Sequence, residues 1–399
     1  MTEYSDLLIG IMAVICAALT AYTVTPPVRL LAYRIGAIDV PTDARRMHRK
    51  PMPRIGGLAI FVAFFIASLV FCDHDPHIYA IWVGGAMLVG LGILDDILRL
   101  SAVVKLIVQL AAAAIAVIIF DVRIDYITVF GSTVQFGVWA IPLTILWITG
   151  LTNAINLIDG LDGLACGVSA ITALSMFGVT LISGDLGSAM LTAILAASCF
   201  GFLPYNKNPA RIFMGDTGAL FLGYALSIIS VQGLFKLHTM LSFLAPFSIF
   251  ALPILDTATA IIRRVVTGHS PFAPDRGHLH HRLVDMGFTH KEAVSILYAI
   301  CGLLGLVAIT YTEAAFHESR TWRTLVITFA SLIIIVLIFI CMRKPSTRIL
   351  SGLAEHISEI KLEAQAEEQR EKEAAEREEK ERAKAEKAEA KKHHGVDKK

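Results

Sequence analysis

The dominant pattern along the chain is a succession of long apolar segments separated by short polar loops. Each apolar segment is about 18 residues or longer, which is enough for a helix to cross the hydrocarbon core of a bilayer. The pattern predicts an all-α, polytopic integral membrane protein. Its eleven predicted transmembrane helices lie near residues 7–24, 56–72, 78–94, 103–120, 135–152, 164–183, 188–205, 217–235, 239–262, 293–311 and 322–342. The first span lacks a basic leader and a cleavage site, so it is predicted to be an anchor and not a signal peptide.

The composition agrees with this pattern, because 55% of the residues are hydrophobic and only 17% are charged. Ordinary soluble domains carry more charge, so a soluble protein is excluded. The six cysteines have neither metal-like nor disulfide-like spacing, and we expect them to be small core residues. The formal net charge of +1 indicates no particular partner, because the charges are unevenly distributed.

Basic residues are concentrated in alternate loops. Residues 25–55 carry seven lysines and arginines and residues 263–292 carry five, whereas the intervening loops carry Arg123, Lys236 and Arg320. Because cytoplasmic loops collect such charges, the N-terminus is predicted outside and the C-terminus inside. The polar motifs between the spans would then face the cytoplasm.

The composition changes abruptly after the last span. Residues 351–399 are rich in Ala, Glu, Lys and Arg and show no sustained apolar heptad seam. We therefore predict a transmembrane domain over residues 1–350 and a charged cytoplasmic tail over 351–399, partly helical or disordered. The tail is expected to be dispensable for any reaction that the protein catalyses.

The stretch Leu151–Ala165 places two amides and two carboxylates between two apolar spans. On a helix Asn153 and Asn156 share a face, with Asp159 next along it, and Asp162 follows. Polar groups at membrane depth are expensive, which favours a functional role. Gly160 and Gly163 would permit a tight turn and a close approach to a ligand. A polar loop with Asx turns is the alternative.

Asp95 and Asp96 end the third predicted span, and Lys105 lies in the first turns of the fourth. Adjacent carboxylates repel each other, so a pair at a membrane boundary favours cation binding or proton handling. Ser101 is predicted to cap the fourth helix. A simple acidic turn between two spans is the alternative.

The stretch 205–220 combines Asp216 with two glycines at a predicted helix start. Gly215 and Gly218 would let backbone amides approach an anion, and a carboxylate there suits Mg²⁺, which takes few protein ligands. Phe213 could offer a flat face to a base. The alternatives are an N-cap for Asp216 and plain packing for Phe213.

The last large inner loop contains a basic cluster, made of Arg276, His278, His280, His281 and Arg282. The cluster lacks the spaced set of ligands that a zinc site needs, so phosphate binding by guanidinium and imidazole donors is favoured. The alternative is a basic loop that only sets topology, and this alternative is stronger for residues 45–57.

Together these motifs put acids for a divalent cation, amides and glycines for phosphates, and a basic loop on one membrane face. Phosphoryl transfer between a nucleotide diphosphate and a membrane-borne acceptor needs this set. An intramembrane aspartyl protease would place its aspartates within the spans, and a transporter would place its charges near the bilayer midplane. Here the acids lie at predicted inner ends, which disfavours both classes.

The same motifs carry a family resemblance over about residues 20–310. It rests on RKPMPRIGGLAI, the pair Asp95–Asp96, NAINLIDGLDGLA, NKNPARIFMGDTGAL and HLHHR, in this order. The chain resembles the polyprenyl-phosphate N-acetylhexosamine-1-phosphate transferases, the family that includes the phospho-N-acetylmuramoyl-pentapeptide transferase. The reading GHLHHR is closer to the branch that transfers N-acetylglucosamine-1-phosphate to begin teichoic acid, O-antigen or related polymers. The pentapeptide-transferase branch is the alternative.

The resemblance implies eleven helices, a cytoplasmic cleft, and Mg²⁺ dependence with Mn²⁺ as a substitute. It also implies attack by undecaprenyl phosphate on the β-phosphorus of a UDP-sugar, with release of UMP, in the bacterial inner membrane. The expected partners are these two substrates and the bilayer; no nucleic acid is expected, and a homodimer is left open.

Residue roles follow from the matched motifs. The implied catalytic residues are Asp95, Asp96 and Asp159, and the implied metal ligand is Asp216. The implied substrate-binding residues are Lys105, Asn153, Asn156, Asp162, Asn206, Phe213, Arg276, His278, His280, His281 and Arg282. We expect Asp95 to accept the residual proton of the lipid phosphate, and Asp96 to position Lys105 or a metal-bound water.

Overall fold

The computed structural model describes residues 2–40, 51–129, 132–235, 243–268 and 277–316. Helices dominate these ranges, because a helix satisfies its backbone hydrogen bonds within one apolar segment. The helices are α1 (Thr2–Ile35), α2 (Gly57–Phe71), α3 (Pro76–Leu98), α4 (Ala102–Ile118), α5 (Ala140–Ile158), α6 (Leu164–Ser183), α7 (Leu186–Asn206), α8 (Gly215–Gly233), α9 (Leu244–Ile249), α10 (Ala251–Val266), α11 (Leu279–Asp285) and α12 (His290–Phe316). A short 3-10 turn, Gly137–Trp139, precedes α5.

The helices confirm a polytopic helical membrane protein. Within the described ranges, six helices are long and apolar enough to cross a membrane: α1, α3, α5 with its preceding turn, α6, α7 and α12. The first ten predicted spans each overlap a described helix. The eleventh span and the charged tail lie outside the described residues. The total number of spans and their orientation stay predictions.

The ninth predicted span is one helix in the sequence pattern but two helices, α9 and α10, in the structure. The break falls at Phe250. Pro253 lies in the first turn of α10, where a missing N–H costs nothing, but it could not continue a helix through Ile249 four residues earlier. The proline therefore explains why α9 ends where it does.

Four short strands were not predicted by the all-α interpretation. β1 (Ile38–Asp39) pairs antiparallel with β2 (Met52–Pro53), and β3 (Tyr126–Val129) pairs antiparallel with β4 (Ser132–Gln135). Both β3 and β4 are rich in β-branched and aromatic residues, which fit a pleated hairpin. The predicted span 135–152 therefore begins too early, since α5 starts only at Ala140.

Glycines bring α2, α3 and α8 into close contact around the first turn of α8. A Cβ atom on Gly57 would lie 2.0 Å from the Cα of Gly218, and one on Gly92 would lie 2.3 Å from the Cα of Thr217. Small residues permit such close helix packing in membranes. This packing fixes the position of the helix turn that carries Asp216.

Gly92→Ala is expected to lower the stability of the protein by about 1–3 kcal/mol, the usual cost of overpacking. The new methyl group would meet the backbone of α8 at Thr217. This backbone cannot move without displacing the preceding residue, Asp216. Gly90→Ala is the matched control on the same helix, because a Cβ there meets no atom within 4 Å. Thermal unfolding in detergent measures both variants, and equal midpoints would contradict the predicted contact.

Candidate active site

Aspartates from two helices meet Lys105 at one end of the helix bundle. Lys105 Nζ on α4 lies 2.8 Å from Asp216 Oδ2 on α8 and 3.1 Å from Asp95 Oδ2 on α3. Asn156 on α5 donates to the same oxygen of Asp216 at 3.3 Å. The structure thus brings together residues that are up to 121 positions apart in the sequence, from Asp95 to Asp216.

Asp216 does not cap its helix. The helix begins at Gly215, whose positive φ of +69° makes the turn into α8, and Met214 before it makes no side-chain cap. Asp216 is the second helical residue, and its carboxylate points to Lys105 and Asn156 instead. The alternative reading of Asp216 as an N-cap is therefore wrong.

The adjacent residues Asp95 and Asp96 face different neighbours, since successive side chains on a helix diverge by about 100°. Asp95 contacts Lys105 and accepts a hydrogen bond from Leu100 N at 2.8 Å. Asp96 accepts from Thr217 Oγ1 at 3.0 Å, and its side chain is 0% exposed, against 10% for Asp95. Lys105 pairs with Asp95 and not with Asp96, because α4 lies on the Asp95 side, and the other expected role of Asp96, positioning a metal-bound water, stays a prediction.

Arg54 is a site residue that the sequence interpretation missed. Its Nε lies 3.3 Å from Asp96 Oδ1, so a second cation enters the acid cluster. Backbone hydrogen bonds from Phe213 N to Pro53 O (2.8 Å) and from Gly56 N to Phe213 O (3.0 Å) hold its loop against the turn before α8. The sequence signal for it is the arginine in the matched RKPMPRIGGLAI motif, but the charge of a basic loop is equally well explained by membrane topology. The same backbone ladder fixes Phe213.

Gln109 is a second missed residue. Asn153 Nδ2 donates to Gln109 Oε1 at 2.6 Å and to Thr149 O at 2.9 Å. Gln109 lies one helical turn beyond Lys105 on α4 and is buried. A glutamine in an otherwise apolar span was its only sequence signal. The hydrogen bond between Asn153 and Gln109 therefore adds a second polar contact, one helical turn beyond the contact between Lys105 and Asp216.

Asp159 lies just after α5, which ends at Ile158, so it is not part of the helix on which it was expected. Burial, followed by the negative charges of Asp216 and Asp96, raises the pKa of Asp159 to about 8. Near neutral pH this carboxyl is therefore mostly protonated. The shift also indicates that Asp159 belongs to the same acid cluster.

Asp162 and Asn206 both hold the loop that leads into α8. Asp162 Oδ2 accepts from Asn208 Nδ2 at 2.9 Å and from Ala210 N at 3.0 Å. Asn206 is buried and donates to Ile212 O at 3.1 Å. These contacts position the turn that carries Phe213, and a direct role in substrate binding stays a prediction for both residues.

The histidines of the basic cluster pack close to the acid cluster. His280 lies over Gly160, where a Cβ would come within 2.0 Å of its Nε2. Burial, aided by the nearby His281, lowers the pKa of His280 to about 4, so its ring is neutral near pH 7. The ring centroids of His280 and His281 are 4.2 Å apart. Arg282 lies exposed on α11, and Arg276 lies outside the described residues.

In the part of the chain that the structure describes, no three His, Cys, Asp or Glu side chains are arranged to hold a metal ion together. The histidine cluster accordingly gives no support to a zinc site. A Mg²⁺ site needs fewer protein ligands, because phosphate oxygens and water complete its octahedron.

Comparison with known proteins identifies the family. The profile of glycosyl transferase family 4 matches residues 78–234. A Bacillus subtilis protein named "Probable undecaprenyl-phosphate N-acetylglucosaminyl 1-phosphate transferase" is 43% identical over 333 residues, which make up 82% of this chain and 90% of that protein. The chain belongs to glycosyl transferase family 4.

Other relatives in glycosyl transferase family 4 carry similar names. A Mycobacterium tuberculosis protein, "Decaprenyl-phosphate N-acetylglucosaminephosphotransferase", is 36% identical over 335 residues, 76% of this chain and 82% of its own length. A Yersinia pestis protein, "Undecaprenyl-phosphate alpha-N-acetylglucosaminyl 1-phosphate transferase", is 27% identical over 292 residues, 70% of this chain and 78% of its own. The resemblance inferred from the motifs is therefore confirmed.

The family-4 match covers the acid cluster but not the whole site. Residues 78–234 contain all four aspartates of the cluster together with Lys105 and Phe213. Arg54 lies before this region and the histidines lie after it.

Proposed function

We propose that this family-4 protein transfers N-acetylglucosamine-1-phosphate (GlcNAc-1-phosphate) from UDP-GlcNAc to undecaprenyl phosphate and releases UMP. The observation that carries the proposal is the cluster in which Lys105 Nζ bridges Asp95 and Asp216 at the end of apolar helices. The names of the relatives support a polyprenyl phosphate as the acceptor and N-acetylglucosamine phosphate as the transferred group. The basic loops support a site on the cytoplasmic face of the bacterial cell membrane.

The acid cluster fits a divalent cation by its charge. The cluster contains four aspartates and two basic side chains, Lys105 and Arg54, so its net charge is −2 when every group is ionised and −1 when Asp159 is protonated. Oxygen ligands of this kind suit Mg²⁺. Asp216 would hold the ion, with Asp95 beside it. When bound, the ion would draw negative charge from the diphosphate oxygens, which is a large part of phosphoryl-transfer catalysis.

An apolar cavity of about 760 Å³ supports a lipid substrate. Its walls are formed by α5, α9, α10 and the β3–β4 hairpin, and include Leu146, Trp147, Phe247 and Ile261. Three of these side chains, Leu146, Phe247 and Ile261, are exposed at the protein surface, where the bilayer would lie. Such a surface would accept part of a polyprenyl chain.

The cavity leads toward the acid cluster along α5. Its lining on this helix ends at Ala154, and Asn156, which bonds Asp216, follows about 3 Å further along the axis. Successive side chains on a helix diverge by about 100°, so Ala154 and Asn156 lie on different sides of α5. The cavity therefore supports a site for the apolar chain of the lipid, and the approach of its phosphate to Asp95 and Lys105 is part of the proposal.

The proposed reaction exchanges one phosphorus–oxygen bond for another. An oxygen of the lipid phosphate attacks the β-phosphorus of UDP-GlcNAc. The bond from that phosphorus to the bridging oxygen breaks, and UMP leaves with the electron pair. Lys105 offsets the negative charge of the incoming phosphate beside Asp95, and Phe213 offers its ring to the uracil. Asp159 and Asn156 would lie beside the diphosphate, between the lipid phosphate and the uracil.

The proposal is tested by UMP release from the purified protein in liposomes that contain undecaprenyl phosphate and Mg²⁺. We expect UMP from UDP-GlcNAc and none from UDP-N-acetylmuramoyl-pentapeptide. The reverse preference would assign the protein to the pentapeptide-transferase branch. Release from neither nucleotide, by protein that unfolds cooperatively on heating, would contradict the proposal.

A further inference from the structure

Asp256 is a buried carboxylate that no sequence motif singled out. It lies on α10 and is only 2% exposed. The five residues of α10 that precede it, ALPIL, are all apolar. A buried charge is costly unless it is paired and hydrogen-bonded. Both oxygens are in fact used: Oδ2 lies 2.9 Å from His278 Nδ1, and Oδ1 accepts from Leu279 N at 2.8 Å.

These contacts fix the ring of His278. A carboxylate at Nδ1 requires a proton on that nitrogen, which leaves Nε2 as the nitrogen that faces away from Asp256. One face of the ring is covered by His280, with the ring centroids 5.8 Å apart and the planes within 9°. The bond to Leu279 N also holds the first residue of α11. His278 is therefore held in one orientation and one tautomer.

His278 is linked to the acid cluster through His280. His280, which stacks on His278, packs against Gly160, the residue after Asp159. The turn after α5 thus joins the histidines to the aspartates. An anionic substrate between them would lie within reach of the basic cluster of α11.

We propose that Asp256 is a positioning residue that fixes His278 so that its Nε2 binds the diphosphate of the sugar nucleotide. The inference rests on the proposed function and assigns this pair to the nucleotide rather than to the lipid. In the bound state His278 carries both protons, donating one to Asp256 and one to a phosphate oxygen. An imidazolium between two anions is stabilised by both of them.

Other titratable groups surround the pair. His280 and His281 come from α11, which begins directly after His278, and the guanidinium of Arg263 from α10 lies against Gly277. These cations and rings are common to all the variants below. Ratios of each variant to the wild-type protein therefore isolate the contribution of Asp256.

The test is a double-mutant cycle of Asp256→Asn and His278→Ala in the liposome assay. Asparagine can still accept from Leu279 N, so the fold is retained while the charge is lost. We expect Asp256→Asn to raise the KM for UDP-GlcNAc by about tenfold, the lower range for such supporting residues in metal sites. The KM for undecaprenyl phosphate and the melting temperature should stay near the wild-type values. Asp285→Asn, the same change at an exposed position of α11, is the matched control.

The double variant separates positioning from a structural role. It should be no worse than His278→Ala alone, because Asp256 acts through His278. Losses that multiply in the double variant, or a KM ratio of Asp256→Asn to wild type near one, would overturn the inference.

A second variant covers a failure of Asp256→Asn to fold. His278→Asn keeps an N–H donor toward Asp256 but removes Nε2, so it should raise the KM for UDP-GlcNAc at an unchanged melting temperature. A wild-type KM for His278→Asn would overturn the inference. Wild-type protein that releases no UMP would instead contradict the proposed function, so the two failures are distinguishable.

Discussion

Asp216→Asn is expected to lower turnover by about 10³-fold or more while the protein still inserts and folds. A metal ion contributes several kcal/mol of charge stabilisation to phosphoryl transfer, and about 1.4 kcal/mol corresponds to a factor of ten. Asp216 Oδ2 is also the atom shared by Lys105 Nζ, at 2.8 Å, and Asn156 Nδ2, at 3.3 Å. The variant therefore removes the charge at the centre of the cluster.

The measurement is kcat for UMP release across a Mg²⁺ titration, with melting temperature as the control for folding. Asp285→Asn again provides the same chemical change at an exposed site and should behave as the wild-type protein. Near-normal turnover of Asp216→Asn at saturating Mg²⁺ would show that Asp216 is not the metal ligand.

Asp95→Asn and Asp96→Asn are expected to fail in different ways. Asp95 is the more exposed of the two and contacts Lys105, which suits an interaction with the lipid phosphate. The second pKa of a phosphate monoester is about 6, so below this pH the lipid phosphate keeps a proton that Asp95 would accept. Asp95→Asn should therefore lose activity most steeply at low pH and partly recover as the pH rises.

Asp96→Asn should lose activity to a similar extent at every pH. Its carboxylate is fully buried between Arg54 and Thr217, so the substitution removes the negative charge that pairs with the buried end of Arg54 and replaces the oxygen that accepts from Thr217 with an amide nitrogen. A lower melting temperature should accompany the loss. The pH–rate profiles decide between the roles: if Asp95→Asn is equally inactive at every pH, its role as proton acceptor is wrong.

The sequence was sufficient to predict the elements that depend on local pattern. Apolar segments long enough to span a bilayer became helices, and Ser101 does cap α4 by accepting from Val104 N at 3.4 Å. The break at Phe250 cannot be predicted from Pro253 alone, because a proline is also tolerated in the first turn of a helix. The short β3–β4 hairpin lies between two predicted spans, 103–120 and 135–152, except for Gln135, and the pattern of apolar spans makes no prediction for such a connecting segment.

The pairing of charges could not be predicted, because it depends on which helices are neighbours. Lys105 contacts Asp95 rather than Asp96 because α4 packs on one side of α3. Arg54 reaches Asp96 only through the backbone ladder that joins its loop to Phe213. Asp256 belongs to no sequence motif, and its proposed role follows only from its contact with His278 in the structure. Each case needs tertiary contacts that residue types and spacing do not contain.

The fate of the β-phosphate tests the central claim most directly. Purified protein in liposomes with undecaprenyl phosphate and Mg²⁺ is given UDP-GlcNAc labelled either in the β-phosphate or in the sugar. We expect both labels to enter the lipid fraction in equal amounts, with one UMP released for each labelled lipid formed. Sugar label in the lipid with the β-phosphate label left in UDP, or neither label in the lipid, would contradict the account.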